Sequence, residues 1–215
     1  MATNKPGALI FDMDGVIVNS NPVHREAWRV YNLRHGIATD EAMQQRMFGK
    51  HNAEIVRDFY GDHLSDAEIF EHGAAKEQLY REMMQGSVED ALVPGIREFL
   101  ERHRDLLAAV ATNAEPENAH FILKAAILGH FFRVVVDGHQ VRFPKPHPEI
   151  YLRAASLLGV EPAECLVFED SVWGLEAARA AGMRVIGLRT THKELSGVEL
   201  AVDDFLSPEL ETWFR

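Results

Sequence analysis

Residues 8–15 have the sequence Ala-Leu-Ile-Phe-Asp-Met-Asp-Gly, an apolar run that ends in two aspartates and a glycine. The run Ala8–Phe11 is apolar without alternation, which predicts a strand buried on both faces of a parallel sheet. Asp12 and Asp14 are one residue apart, so their carboxylates project to the same side of an extended segment. Such a pair is costly unless a cation or a proton lies between the charges, and a hard divalent ion with oxygen ligands fits it. An acidic turn closed by Gly15 is the alternative interpretation.

Further apolar runs along the chain predict more strands, which alternate with helical stretches. The predicted strands are Leu106–Ala111, Val134–Val136, Leu166–Phe168 and Arg184–Leu188. The predicted helices are Glu117–Ala126, Pro148–Leu158 and Val172–Ala181, with start signals at Pro116, Pro148 and Ser171 and a stop signal at Gly182. This alternation is typical of right-handed βαβ units, so we expect an α/β fold with a doubly wound parallel sheet.

The region from residue 20 to residue 90 departs from this alternation. It is helical in pattern almost throughout, and the stretch 92–95, Leu-Val-Pro-Gly, marks the return to the α/β pattern. We therefore predict a core made of residues 1–19 and 91–215, and a helical cap made of residues 20–90. Ligands bind at the carboxyl edge of open α/β sheets, so we expect the cap to act as a lid over that edge.

Composition restricts the possible partners of the chain. Its 215 residues are 47% hydrophobic and 26% charged, and its net charge of −11 argues against nucleic acid or an anionic membrane as the main partner. No apolar run approaches ~18 residues, so we expect no membrane span. Residues 1–7 lack the apolar stretch of a signal peptide, and Cys165 is the only cysteine. We expect a cytoplasmic protein, and a monomer.

Three more polar motifs lie near the ends of predicted strands. Thr112-Asn113 offers a hydroxyl and backbone N–H groups to a phosphate oxygen, although the same pair is common in turns. Lys145 lies between two prolines that restrict its backbone, so that its ammonium can be aimed at a ligand; a solvated loop lysine is the alternative. Glu169-Asp170 needs compensation by a metal or by helix N–H groups. The convergence of all four motifs on one sheet edge predicts a single site.

These four motifs, in this order, resemble those of the haloacid dehalogenase superfamily of phosphotransferases. The run from Phe168 to Gly174, Phe-Glu-Asp-Ser-Val-Trp-Gly, is especially specific, and the resemblance covers nearly the whole chain. Within the superfamily, the chain is similar to the subgroup that inserts a helical cap after the first motif of a Rossmann-like core. That subgroup includes β-phosphoglucomutase and many sugar-phosphate phosphatases.

The resemblance implies a role for each acidic residue. Asp12 would attack phosphorus and form an aspartyl-phosphate, and Asp14 would protonate the leaving oxygen and then activate water. Mg²⁺ would bind the carboxylate of Asp12, the backbone carbonyl of Asp14 and Asp170, with Glu169 as a further ligand or as a neighbour of the ligands. The presence of Asp14 argues against dehalogenation, which needs no acid for its leaving group.

The remaining roles concern the phosphoryl group and the rest of the substrate. Thr112 and Lys145 would neutralise phosphoryl oxygens, and Asn113 would bind substrate. In the cap, the resemblance to β-phosphoglucomutase covers His24 and Trp28, one helical turn apart, and Lys76. The substrate-binding residues predicted in the cap are His24, Trp28, Gly49, Lys50, Asn52 and Lys76. The alternative is that Trp28 belongs to the core of the cap and that His24 is a surface or interdomain residue.

Two departures from the mutase pattern favour hydrolysis. Asn52 occupies the position of a mutase arginine that holds a second phosphate, and Glu115 occupies the region of a Lys-Asn pair that grips the sugar phosphate. We therefore predict a phosphatase acting on a small phosphorylated metabolite, a sugar or polyol phosphate, with a phosphosugar mutase as the alternative. A receiver-type phosphoacceptor domain would not need an insertion of this size. A relative without catalytic activity would not need every catalytic position filled.

Overall fold

The structure is a computed structural model that describes residues 5–45, 47 and 51–215. The polypeptide divides into two compact units. One unit combines Met1–Asn19 with Val88–Arg215, and the other is Ser20–Ser87. The sequence places the ends of the inserted cap at residues 20 and 90.

The strands of the described residues all belong to the first unit. They are β1 (Ala8–Phe11), β2 (Leu107–Ala111), β3 (Val134–Val136), β4 (Cys165–Glu169), β5 (Arg184–Leu188) and β6 (Leu200–Val202). They form one parallel sheet in the order β3-β2-β1-β4-β5-β6. The predicted parallel sheet is confirmed, and β6 is an addition that the sequence analysis did not identify.

The helices of the described residues are α1 (Asn21–Arg34), α2 (Glu41–Gln45), α3 (Asn52–Tyr60), α4 (Asp66–Met84), α5 (Ile96–Arg102), α6 (Pro116–Ala125), α7 (Glu149–Leu158), α8 (Val172–Ala180) and α9 (Pro208–Trp213). Short 3₁₀ helices cover Gly129–Phe131, Gly138–Gln140 and Pro162–Glu164. Helices α1 to α4 make up the second unit, whose described residues contain no strand, as predicted. Helices α6, α7 and α8 lie within one residue of their predicted bounds, whereas α5 and α9 were not predicted.

Helices cover both faces of the sheet, which makes it doubly wound. Successive strand residues point to opposite faces. Ile10 belongs to a buried cluster with residues of α7 and α8. On the other face, the ring of Phe11 stacks on Phe168 with the ring centres 4.8 Å apart, and both rings contact Phe99 of α5. The apolar, non-alternating strands of the sequence are therefore buried on both sides.

The strand order reverses beside β1, which lies between β2 and β4. Phe11 of β1 is paired with Phe168 of β4, so the residues that follow, Asp12 and Glu169, emerge side by side. In open α/β sheets the crevice at such a reversal is the usual ligand site. The register of the sheet thus brings two predicted motifs to one point.

The second unit has clear local determinants of its helices. Ser65 begins α4 with a capping box, in which its hydroxyl accepts from the backbone N–H of Glu68 and the carboxylate of Glu68 accepts from the backbone N–H of Ser65. Pro22 lies in the first turn of α1, where its missing N–H costs nothing.

Within the described ranges of the chain, no helix combines the length and the apolar character needed to cross a membrane.

Candidate active site

The ammonium of Lys145 lies between two carboxylates at the carboxyl ends of β1 and β4. Its Nζ donates to Oδ1 of Asp12 and to Oε1 of Glu169, each at 2.7 Å. All three side chains are buried. Burial alone would lower the pKa of Lys145, but the charges of Asp12 and Glu169 hold that pKa well above its usual value. Lys145 therefore carries a positive charge at this edge of the sheet.

The carboxylate of Glu169 is saturated with donors from the protein. Oε1 accepts from the phenol of Tyr151 at 3.0 Å as well as from Lys145. Oε2 accepts from the backbone N–H groups of Asp170 and Ser171, each at 2.8 Å, and from the Ser171 hydroxyl at 3.0 Å. Burial would raise the pKa of Glu169, but Lys145 and these donors hold it below its usual value. Glu169 is thus an ionised anchor for Lys145 rather than a carboxylate with free lone pairs.

An excess of negative charge surrounds this lysine. One carboxylate oxygen from each of Asp12, Glu169 and Asp170 lies within 4.8 Å of the others. Burial raises the pKa of Asp12 to about 7, against the lowering effect of Lys145. Burial also raises the pKa of Asp170 well above its usual value, and the charges of Glu169 and Asp12 add to that shift. The single positive charge of Lys145 does not balance the negative charges of these carboxylates. A group of carboxylate oxygens of this kind fits a hard divalent cation.

The turn after β1 packs directly against Asp170. Gly15 has a φ of +81°, and a Cβ atom at this position would lie 1.9 Å from Oδ2 of Asp170. Both the backbone conformation and the close approach therefore require glycine. The hydroxyl of Thr190 donates to the Gly15 carbonyl at 2.5 Å and lies 3.3 Å from the same Asp170 oxygen, which also accepts from Thr191.

Three other predicted residues complete the core side of the site. Thr112 is buried at the end of β2, and its Oγ1 accepts from the backbone N–H of Ala114 at 3.1 Å. Asn113 Oδ1 accepts from the backbone N–H of Lys145 at 3.3 Å, so the side chain of Asn113 helps to hold the backbone at Lys145 in place. Asp14 is half-buried, and its charge contributes to the raised pKa of Asp12. The structure therefore places all four motifs at one edge of the sheet.

The predicted residues of the second unit form their own cluster around Lys76. The Lys76 Nζ donates to Oε1 of Glu77 at 2.5 Å, lies 3.2 Å from Nδ1 of His24 and stands 4.9 Å from the centre of the Trp28 ring. Asn52 donates to the same Glu77 oxygen at 2.8 Å. The structure thus brings together all the described cap residues that were predicted, with a carboxylate among them.

Two predicted residues, Gly49 and Lys50, lie outside the described residues. Four further residues contact the predicted ones in the structure but were not predicted from the sequence: Tyr151, Thr190, Thr191 and Glu77. Thr190 and Thr191 come shortly after the buried parallel strand β5, and a polar residue after such a strand is the same signal that identifies Asp12. Glu77 is adjacent to Lys76, and adjacent helical residues do not normally face each other.

Comparison with known proteins gives a consistent assignment. A family model described as "Hydrolase: haloacid dehalogenase-like hydrolase" matches residues 6–182. The chain is 34% identical over 214 residues to the protein CbbY of Rhodobacter capsulatus, and the aligned region covers 94% of this chain and 93% of that protein. It is also 34% identical over 183 residues to the fructose-1-phosphate phosphatase YqaB of Escherichia coli, and the aligned region covers 84% of this chain and 95% of that relative.

A solved structure supports the same relationship in three dimensions. The crystal structure of β-phosphoglucomutase from Clostridium difficile superposes with a TM-score of 0.85 at 25% sequence identity, and the match covers 97% of each chain. Both a phosphatase and a mutase are therefore among the proteins that this chain resembles.

Proposed function

Since this chain belongs to the haloacid dehalogenase-like hydrolase family, we propose that it hydrolyses small phosphate monoesters through an aspartyl-phosphate formed on Asp12. The proposed substrates are sugar or polyol phosphates, the proposed cofactor is Mg²⁺, and the proposed active form is a monomer. The observation that carries this proposal is the buried contact of Lys145 with Asp12, beside the unbalanced carboxylate of Asp170.

The proposed reaction has two displacements at phosphorus. In the first, a carboxylate oxygen of Asp12 forms a bond to phosphorus while the bond to the substrate oxygen breaks, and Asp14 gives its proton to that leaving oxygen. In the second, Asp14 accepts a proton from water as the water oxygen attacks phosphorus. The bond between phosphorus and Asp12 breaks, and inorganic phosphate leaves with Asp12 restored as a carboxylate and Asp14 restored to its protonated form.

The surrounding residues would hold charge in place during both steps. Lys145, fixed by Glu169, faces the nucleophile and the phosphoryl oxygens, and the Thr112 hydroxyl is available to one of those oxygens. Asp12, Asp170 and the backbone carbonyl of Asp14 would hold Mg²⁺. When bound, Mg²⁺ supplies the positive charge that lets an anionic nucleophile approach an anionic phosphate.

Two carboxylates favour a phosphatase over a mutase. A mutase must hold a second phosphate, but Lys76 and Asn52 in the second unit already donate to Glu77. In the first unit, Glu115 at the start of α6 pairs with His139 at 2.6 Å. Each carboxylate would repel a second phosphate. The name of the relative YqaB, a fructose-1-phosphate phosphatase, points to hydrolysis as well.

A phosphosugar mutase is the second candidate. The contact between Lys76 and His24 and the likeness to the C. difficile β-phosphoglucomutase structure favour it. In that case the aspartyl-phosphate would pass to a sugar hydroxyl instead of to water.

A substrate panel with Mg²⁺ tests the two candidates directly. The panel contains fructose 1-phosphate, other sugar and polyol phosphates, and β-glucose 1-phosphate with and without glucose 1,6-bisphosphate. We expect inorganic phosphate to be released from several of the monoesters, and Asp12→Asn to abolish that release. Glucose 6-phosphate formed without phosphate release would overturn the phosphatase in favour of the mutase. Wild-type turnover by the Asp12→Asn variant would overturn the assignment of the nucleophile.

A further inference from the structure

The hydroxyl of Thr190 contacts groups that follow two different strands. Thr190 itself comes shortly after β5 and is half-buried. Its Oγ1 donates to the carbonyl oxygen of Gly15, in the turn after β1, at 2.5 Å. The same Oγ1 lies 3.3 Å from Oδ2 of Asp170, which follows β4. One side chain thus connects three neighbouring strand ends.

The two groups that meet at this hydroxyl are both hydrogen-bond acceptors. A carbonyl oxygen and a carboxylate oxygen repel each other at short range unless a donor or a cation lies between them. The missing side chain of Gly15 lets the turn lie directly against Asp170, because a Cβ atom there would be 1.9 Å from Oδ2. Thr191 also donates to Oδ2 of Asp170, but of these two hydroxyls it is that of Thr190 that contacts both the Gly15 carbonyl and Asp170.

We propose that Thr190 is a positioning residue that holds Asp170 against the turn of Asp12 to Gly15 and thereby sets the affinity of the site for Mg²⁺. This inference rests on the proposed function, in which Asp12 and Asp170 hold the metal. Thr190 acts through these residues and takes no part in the chemistry. Groups that orient metal ligands typically change metal affinity or activity by about 10–100-fold when they are removed.

The test measures Mg²⁺ binding to the substrate-free protein by isothermal titration calorimetry. Thr190→Val removes the hydroxyl at nearly constant size, and Thr190→Ser keeps it. Thr212→Val is the matched control, because the Thr212 hydroxyl donates to the Pro208 carbonyl at 3.0 Å within α9. We expect a Kd for Mg²⁺ about 10–100-fold weaker in Thr190→Val, a Kd near the wild-type value in Thr190→Ser, and no change in Thr212→Val.

The readouts separate this inference from the proposed function. A Thr190→Val protein that is folded by circular dichroism and binds Mg²⁺ with the wild-type Kd overturns the inference, whatever its activity. A Thr190→Ser protein that binds Mg²⁺ as weakly as Thr190→Val also overturns the inference, since loss of the hydroxyl would then not be the cause of the weaker binding. If Thr190→Val does not fold, Thr190→Ala removes the same hydroxyl with less steric demand and is judged by the same criterion. A wild-type protein that binds Mg²⁺ but releases no phosphate from any substrate contradicts the proposed function alone.

Discussion

The Nζ atom of Lys145 lies 2.7 Å from Oδ1 of Asp12, the carboxylate proposed as the nucleophile. The contact is buried, so solvent screens it little, and it fixes one oxygen of the carboxylate. Glu169 holds the lysine from its other side at the same distance. The proposed nucleophile is therefore positioned through a chain of charges that ends in the backbone N–H groups just before α8.

Replacing Lys145 with methionine tests this arrangement. The change leaves the buried carboxylates of Asp12 and Glu169 without their shared cation, so we expect a loss of stability of about 3–5 kcal/mol. Turnover should fall by about 10²–10³-fold, the usual cost of one lost donor at a developing charge. Phosphate release and denaturant unfolding, measured on the same preparation, separate the two effects. Lys145→Arg keeps the charge and should retain more stability, and a Lys145→Met enzyme with wild-type turnover would contradict the role of the lysine.

The close approach of Gly174 to Glu169 gives a second prediction. A Cβ atom on Gly174 would lie 1.6 Å from Oε1 of Glu169, so Gly174→Ala must displace the group that anchors Lys145. We expect destabilisation of at least about 1–3 kcal/mol together with a loss of turnover. Gly129→Ala is the matched control, because nothing lies within 4 Å of the added methyl group and no positive φ is involved. Equal behaviour of the two variants in thermal unfolding and in turnover would count against this account.

The sequence was sufficient for strands β1 to β5 and for the four polar motifs at the edge of the sheet, because buried parallel strands are continuous apolar runs and their ends are polar. It was not sufficient for the partners of those residues. Lys145 is 133 positions from Asp12 and 24 from Glu169, and their meeting depends on the register that pairs Phe11 with Phe168. A single sequence does not reveal that register.

Short elements and single contacts were the other omissions. Strand β6 has three residues, and helices α5 and α9 have seven and six, too few to show a clear period. Glu77 and Tyr151 are polar residues in otherwise ordinary helices. Their importance comes from what packs against them, Lys76 in one case and Glu169 in the other.

The raised pKa values of Asp12 and Asp170 predict how the metal-free protein responds to pH. Burial raises the pKa of Asp12 from 3.8 to about 7, so between these values the folded protein keeps a proton that the unfolded chain has lost. The free energy of unfolding therefore falls as pH rises through this window, and Asp170 acts in the same direction. The lowered pKa of Glu169 has the opposite effect, but only in more acidic solution.

Thermal unfolding with EDTA, compared with unfolding in Mg²⁺, measures this effect. We expect Mg²⁺ to raise the melting temperature more at about pH 8 than at about pH 5, since binding requires ionised carboxylates. Asp12→Asn removes one of the titrating groups and should flatten the pH dependence of the metal-free protein. A metal-free wild-type protein whose stability increases from about pH 5 to about pH 7 would contradict the assigned shifts.

The proposed catalytic role of Asp14 can be distinguished from that of Asp12 with an activated substrate. p-Nitrophenyl phosphate has a good leaving group that does not need an acid, so Asp14→Asn should still allow the first displacement. The second displacement lacks its base, and the phosphorylated enzyme should accumulate. Intact-mass spectrometry after an acid quench detects the added phosphoryl group, and the double variant with Asp12→Asn is the control that should remain unmodified. Failure of the Asp14→Asn enzyme to accumulate the adduct while it still releases p-nitrophenol would argue against Asp14 as the base.

The ion pair of Lys76 and Glu77 lends itself to a double-mutant cycle of stability. Their side chains are 2% and 7% exposed, and Nζ lies 2.5 Å from Oε1. Removing one partner leaves a buried charge, so Lys76→Met or Glu77→Gln alone should cost about 3–5 kcal/mol, and the double variant should cost less than the sum. The exposed pair of Arg57 and Asp66, at 3.0 Å, is the control, for which coupling of about 0.2–1 kcal/mol is expected.

The size of that coupling bears on the choice between phosphatase and mutase. Strong coupling means that Glu77 holds the charge of Lys76, so a second phosphate would have to displace a carboxylate before it could use the lysine. Coupling between Lys76 and Glu77 no larger than in the Arg57–Asp66 control would mean that Lys76 is available to an anion, because little free energy would be lost on leaving Glu77. Denaturant unfolding of the four proteins of each cycle measures the coupling free energy. Inhibition of the turnover of a monophosphate substrate by glucose 1,6-bisphosphate measures how well the protein binds a second phosphate. We expect Glu77→Gln to strengthen inhibition by the bisphosphate, since the change removes the repelling charge and leaves Lys76 in place.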